Sequence, residues 1–200
     1  PFDAAKVEAG TLPPLTERLP LVPLIETQER NEVPSEHINL EIGKYGGEMK
    51  VAVANAGFDF LNFLGQDEPM VSGPGIQGQN IAGNVVERFD VSPDETTFTF
   101  FLRKGMKWSD GEPVTTDDVR FTYEDFLSNS DVTPRIPNWM RAGNVSSGDP
   151  LVVEVIDDYT FTVSFTEPYA GFPAWLAILT WKGYTELVKP EHYLVQFHAD

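Results

Sequence analysis

Between Val85 and Leu127 the spacing of apolar positions changes twice, and the rest of the chain is best read outward from that stretch. Val85, Phe89 and Val91 fall on one face of an extended segment, with Glu87 interrupting the pattern. Phe98, Phe100 and Leu102 then alternate with Thr97, Thr99 and Phe101, the period of two expected of a half-buried strand. Ser92-Pro93-Asp94-Glu95 predicts a turn between them, because proline presets φ and an aspartate side chain bonds nearby backbone. After a second turn at Asp110-Gly111 the period lengthens. Val119, Thr122, Tyr123, Phe126 and Leu127 share one face at helical spacing. Thr115 is the expected N-cap, Asp118 closes a capping box with it, and Val114 and Val119 form a hydrophobic staple across the cap.

The same patterns mark weaker elements elsewhere. After a turn at Tyr45-Gly46-Gly47, Met49, Val51 and Val53 alternate with Glu48, Lys50 and Ala52, predicting a strand that ends at Asn55. Leu151–Ile156 and Tyr159–Phe165 predict a hairpin across Asp157-Asp158. Pro168 and Pro173 bracket an aromatic helix start, with Trp175, Leu176, Ile178 and Leu179 as its buried stripe. Residues 128–150 read as a long irregular connection in which Pro137-Asn138-Trp139-Met140 packs as a short element. Glycine-rich Met70–Gly83 reads as a loop; it lacks the Gly-Lys-Ser/Thr ending of a phosphate loop.

Residues 1–42 differ in kind. Six of the sixteen prolines fall by Pro34, so Thr11–Pro14 and Leu19–Pro23 are excluded from helix interiors. An extended segment draped over the body is expected, with Leu19, Leu21, Val22, Leu24 and Ile25 packing part of it.

Composition narrows the function. The formal net charge of -17 argues against nucleic acid and anionic membrane surfaces as partners. There is no cysteine, and no run of eighteen apolar residues that would span a membrane. The chain opens at Pro1 without an apolar signal core, and is read as starting at a mature or trimmed end. Of the three histidines, His37, His192 and His198, the last two are six apart, which matches neither a helical zinc pair nor a finger. No serine sits in a Gly-x-Ser-x-Gly setting. Asp117-Asp118 and Asp157-Asp158 are accounted for by capping and turn chemistry. No catalytic residue, metal or cofactor is expected. A carbohydrate hydrolase with two carboxylates facing across a cleft stays open as an alternative of a different class.

One ordered set of motifs goes further. Leu102-Arg103-Lys104-Gly105, Trp108-Ser109-Asp110-Gly111, Pro113-Val114-Thr115 and Asp117-Asp118-Val119, leading to Phe121 and Tyr123, resemble the signature region of the family 5 extracellular solute-binding proteins. Asp157–Val163 leading to Glu167-Pro168-Tyr169 resembles the family's next hairpin, and Gly43–Gly47 with Met49–Ala54 its first strand. The resemblance covers roughly Ile42 to Ala199. Its members are receptors of bacterial ABC importers for peptides, nickel and oligosaccharides.

The resemblance implies an α/β, periplasmic binding protein-like type II fold, with an α+β inserted domain. Residues 1–44 would be the proline-rich leader, 45–65 and 177–200 parts of the first ligand lobe, and 66–176 the inserted small domain. It implies a monomeric periplasmic or extracellular receptor, free or lipid-anchored, that presents its solute to membrane permease subunits. An oligopeptide is favoured over an oligosaccharide on the family's majority usage. The loop after the first strand lines the ligand cleft in the family, which nominates Asn55, Phe58, Asp59 and Asn62; Phe60 and Phe63 suit a packed aromatic turn equally. The family's usual proline is absent from this loop, which is rich in phenylalanine instead. Trp175 and Trp181 are nominated as aromatic walls. A chain ending at Asp200 is expected to lack the second lobe, and hinge closure needs both walls. Calorimetry on these 200 residues alone should therefore register weak solute binding or none.

Overall fold

The computed structural model describes residues 4–27, 30, 36, 41, 43–44, 46–48, 68–73, 80–178 and 186–198. The expected first strand near Glu48–Ala54 lies almost wholly outside the described residues. Two short helices, α1 (Ala4–Glu8) and α2 (Leu15–Arg18), precede a small antiparallel ladder of β1 (Val71–Ser72) and β2 (Ala82–Gly83). Four strands follow: β3 (Val86–Val91), β4 (Thr97–Leu102), β5 (Val152–Asp157) and β6 (Thr160–Ser164). They form one antiparallel sheet in the order β3-β4-β6-β5. Helix α3 (Thr116–Phe121) runs on as a π turn over Thr122–Leu127, and α4 (Phe172–Ile178) and α5 (Glu191–Leu194) complete the described helices.

Both expected hairpins therefore exist and share one sheet. The alternation in β4 sends Phe98, Phe100 and Leu102 inward, each essentially without solvent contact. Phe100 lies opposite Phe89 on one side and Phe161 on the other, with ring centroids 5.9 and 5.2 Å apart. Phe172, at the start of α4, closes this face from above. It contacts the rings of Phe98 at 5.1 Å, Phe165 at 4.9 Å and Trp139 at 6.3 Å. Trp139 and Met140 are buried in a 3₁₀ turn (Asn138–Met140), the packed insert expected in the long connection. Thr97, Thr99, Thr160 and Thr162 line the opposite face of the sheet, where the Arg88 guanidinium sits 3.5 Å over the Phe101 ring.

Four sequence expectations need correction. The first concerns β3. Glu87 breaks its alternation because the register shifts between Val86 and Arg88, leaving Glu87 as an extra residue in a β-bulge. Val86 therefore takes the buried position, Val85 is half-buried and Val91 is 43% exposed. The second concerns Met70–Gly83, whose described ends pair as β1 and β2. Gly83 is required there, since a Cβ would stand 2.2 Å from the Glu87 carbonyl oxygen.

The third concerns the leader. Leu19, Leu21, Val22 and Ile25 are exposed, and of the apolar residues nominated only Leu24 is half-buried. The leader is held by polar bonds instead. Leu21 N–H donates to the Lys104 carbonyl (2.8 Å), Arg103 Nη1 to the Val22 carbonyl (2.8 Å) and Lys107 Nζ to the Glu17 carbonyl (3.1 Å). The fourth concerns the signature helix, which widens after Phe121. Thr122 Oγ1 donates to the Asp118 carbonyl (2.6 Å), and Ser128 N–H reaches back five residues to the Tyr123 carbonyl (2.8 Å). Phe126 is consequently displaced from the core. It packs edge-on against Phe121, with Lys189 Nζ 5.3 Å from its ring.

Burial of this kind sets a clear contrast for mutation. Phe100→Ala should lower unfolding free energy by about 3–5 kcal/mol. Thr99→Ala, on the opposite face, should stay within about 1 kcal/mol. Urea denaturation followed by far-ultraviolet circular dichroism measures both.

Candidate functional site

The signature motifs converge on one carboxylate. Thr115 caps α3, accepting the Asp117 N–H on its Oγ1 at 3.3 Å, and Asp118 closes the capping box as the sequence predicts. Asp118 does more than cap. It is 4% exposed, and its Oδ2 accepts both the Thr115 N–H (3.0 Å) and the Trp108 indole N–H (3.1 Å). Its Oδ1 accepts the Glu191 N–H at the start of α5, also at 3.0 Å. One buried carboxylate thus joins the Trp108 turn, the signature helix and the segment that follows residue 185. The staple residues Val114 and Val119 are buried beneath it. The start of α3 is further pinned to the β5–β6 turn, where Thr116 donates to the Asp158 carbonyl through N–H and to the Asp157 carbonyl through Oγ1.

The neighbouring motif residues act in the same way. Arg103 is buried, and its Nε donates to the Asn84 carbonyl at 2.9 Å while Nη1 holds the leader. Burial lowers its pKa from the usual arginine value, opposed by the nearby Glu87 charge. Asp110, in the turn with Gly111 at φ +100°, accepts the Glu112 N–H and meets His192 Nε2 at 2.7 Å. The hydrogen bond from His192 holds the Asp110 carboxyl below its ordinary value, and Asp110 raises the imidazole in return. His198 Nε2 lies 3.4 Å from Asp125 Oδ1. Neither histidine contact was legible beforehand, because both partners lie some seventy or more residues away in sequence.

The nominated binding residues fall mostly elsewhere. Asn55, Phe58, Asp59, Asn62 and Trp181 lie outside the described residues. Trp175 lies on α4, partly buried against the core. An open groove of about 390 Å³ crosses the outer face of the sheet, lined by Phe101, Tyr159, Arg88, Lys104, Glu87 and the leader residues Leu21 and Val22. Among the described residues no cluster of three histidines, cysteines or carboxylates is placed to hold a metal, and no helix is long and apolar enough to cross a membrane.

Comparison with known proteins then decides the family. The model of the bacterial extracellular solute-binding proteins, family 5 Middle, matches residues 80–188, which hold the four-stranded sheet, the signature helix and α4. The chain belongs to family 5. A putative ABC transporter peptide-binding protein of Brucella ovis is 32% identical over 152 residues, 76% of this chain and 25% of that protein. Among solved structures, the oligopeptide-binding protein OppA superposes over 99% of this chain and 28% of its own, with a TM-score of 0.74 and 28% identity. The periplasmic binding protein MelB from Agrobacterium fabrum, in complex with stachyose, covers 98% of this chain and 30% of its own at a TM-score of 0.70 and 25% identity. The family-5 chain thus has the fold of periplasmic binding proteins and spans roughly a quarter of the length of its relatives.

The Asp118 node gives this family-5 chain a sharp structural test. Asn at 118 would aim an amide N–H₂ at an N–H donor on one side or the other. Asp118→Asn should cost about 1–3 kcal/mol and shift the Trp108 indole proton resonance. Asp117→Asn loses only a 2.7 Å exposed pair with Arg120 and a cap-proximal charge, within about 1 kcal/mol. Chemical denaturation and proton NMR report the two effects separately.

Proposed function

We propose that the family-5 chain forms part of a receptor that captures an oligopeptide-like solute in a hinged cleft and delivers it to the permease of a bacterial ABC importer. The observation that carries this reading is the likeness to the oligopeptide-binding protein OppA over 99% of the chain at a TM-score of 0.74. The Brucella ovis relative supports it through its designation as a putative ABC transporter peptide-binding protein. The receptor works outside the cytoplasm as a monomer and releases its solute unchanged, without catalysis. Residues 66–176 serve as the inserted small domain, while 45–65 and 177–200 contribute to the first ligand lobe. Asn55, Phe58, Asp59 and Asn62 supply amide, carboxylate and aromatic contacts from the loop after the first strand, with Trp175 and Trp181 at the wall.

A second reading has its own support. MelB superposes almost as well and is in complex with stachyose. Tryptophan faces suit sugar rings, and amides with a carboxylate suit sugar hydroxyls.

A thermal-shift screen of the receptor that carries this chain separates the two. A peptide mixture should raise the melting temperature, by about 2.7 kcal/mol of added stability at a hundredfold excess over Kd. Recovered peptide should be intact by mass spectrometry. Stabilisation by stachyose alone, lost on Trp181→Ala, replaces the peptide reading with the sugar one. Turnover of either solute contradicts both.

A further inference from the structure

The segment 191–198 meets the signature region through an unusual density of titratable groups. His192 faces Asp110 at 2.7 Å, and the carboxylates of Glu112 and Asp118 bear on the same imidazole. His198, six residues on, faces Asp125 of the π turn at 3.4 Å, with its ring 6.2 Å from that of Phe121. His192 lies on α5, and a 3₁₀ turn (Val195–Phe197) leads from that helix to His198. Their outward side bears Tyr193 and Phe197, 53% and 67% exposed, with ring centroids 5.5 Å apart. Glu191 opens the segment facing Asp117, Asp118 and Asp125, with Arg120 as the opposing charge. Lys189, just before it, lies over Phe126 near Glu186.

We infer that residues 191–198 are an acid-strengthened latch: His192 clamps the segment onto the Asp110 turn in mildly acidic surroundings, and the clamp loosens as the medium turns alkaline.

His192 and Glu191 set the acid-favouring direction, against which burial lowers the Lys189 pKa. The Asp110 hydrogen bond raises the His192 pKa, so its contribution to docking is complete below the ordinary histidine value of about 6.5. That contribution fades as pH rises through the higher value of the docked state. The His192 hydrogen bond lowers Asp110, so its contribution is present above the ordinary aspartate value of about 3.9 and is lost only as pH falls through the lower docked value. Burial, then Asp117, raises Glu191; docking its charged form is therefore disfavoured, and acid removes that penalty. The latch is tightest between the ordinary aspartate and histidine ranges. What it holds down is the Glu191 N–H bond to Asp118, and with it the aromatic pair Tyr193–Phe197.

Amide hydrogen exchange on the full chain tests this, corrected for the intrinsic pH dependence of exchange. Protection of residues 191–197 should fall about threefold or more between about pH 5.5 and pH 8, while protection in β4 stays level. The variant His192→Gln should show low protection of the segment at both pH values, with β4 unchanged. Asp110→Asn should return the His192 pKa, read by NMR titration, toward the ordinary value. Equal protection of wild type at both pH values overturns the latch, as does a pH dependence that survives in His192→Gln.

Discussion

A carboxylate taken out of water must be surrounded by donors, and Asp118 is the point where this chain meets that demand. At 4% exposure it cannot rely on solvent, and it accepts N–H groups from Thr115, Trp108 and Glu191. Those donors come from three separate pieces of chain. The capping box alone would explain one of them. The other two mean that the cap, the tryptophan turn and α5 are positioned by the same atoms, so none can shift without leaving a buried donor or acceptor unmet. The aromatic core under the sheet supplies bulk stability, but it is non-directional. The orientation of α3 against the sheet and of α5 against α3 comes from the polar bonds at its start.

Much of this was legible because it is local. The alternation of Phe98, Phe100 and Leu102, the Thr115–Asp118 box and the hairpin across Asp157-Asp158 each depend on residues a few positions apart, and all three stand. Local reading failed where distant bonds decide. Hydrophobicity in Leu19–Ile25 suggested packing, yet the leader is held through Arg103 and Lys104, which a scan for apolar residues does not register. Glu87 looked like an exception within a strand, whereas it is the extra residue of a bulge. Phe172, the ring that closes the core, was left out of the buried stripe read for the aromatic helix start, although it stands at helical spacing from Trp175 and Leu176. The histidine–aspartate contacts had no local signal at all. The nominated cleft residues came from resemblance rather than from the physics of the chain, and only Trp175 among them can be placed.

The family signature itself takes on a different meaning here. Its residues Arg103, Trp108, Asp110, Thr115 and Asp118 spend polar atoms on one another, on the leader, on the Asn84 carbonyl and on α5. They are the joinery of the domain. A family recognised by such residues shares a frame, and members holding a peptide or stachyose can share it equally, because the groups that touch solute need not belong to it.

Between Glu17 and Val22 the leader is tied down by its main chain: the Leu21 N–H and the carbonyls of Val22 and Glu17. Every residue type except proline offers the same N–H, and every residue offers the same carbonyl. These anchors on the body therefore recognise the path of the strap and not its spelling, whereas Ser72 and Asn84 meet the side chain of Arg30. Side chains such as Leu21 and Val22, facing the groove on the outer sheet, are left free to drift through evolution without loosening the attachment. What selection can hold constant at such a tether is its length between anchoring points, so related chains should differ there in letters far more than in count.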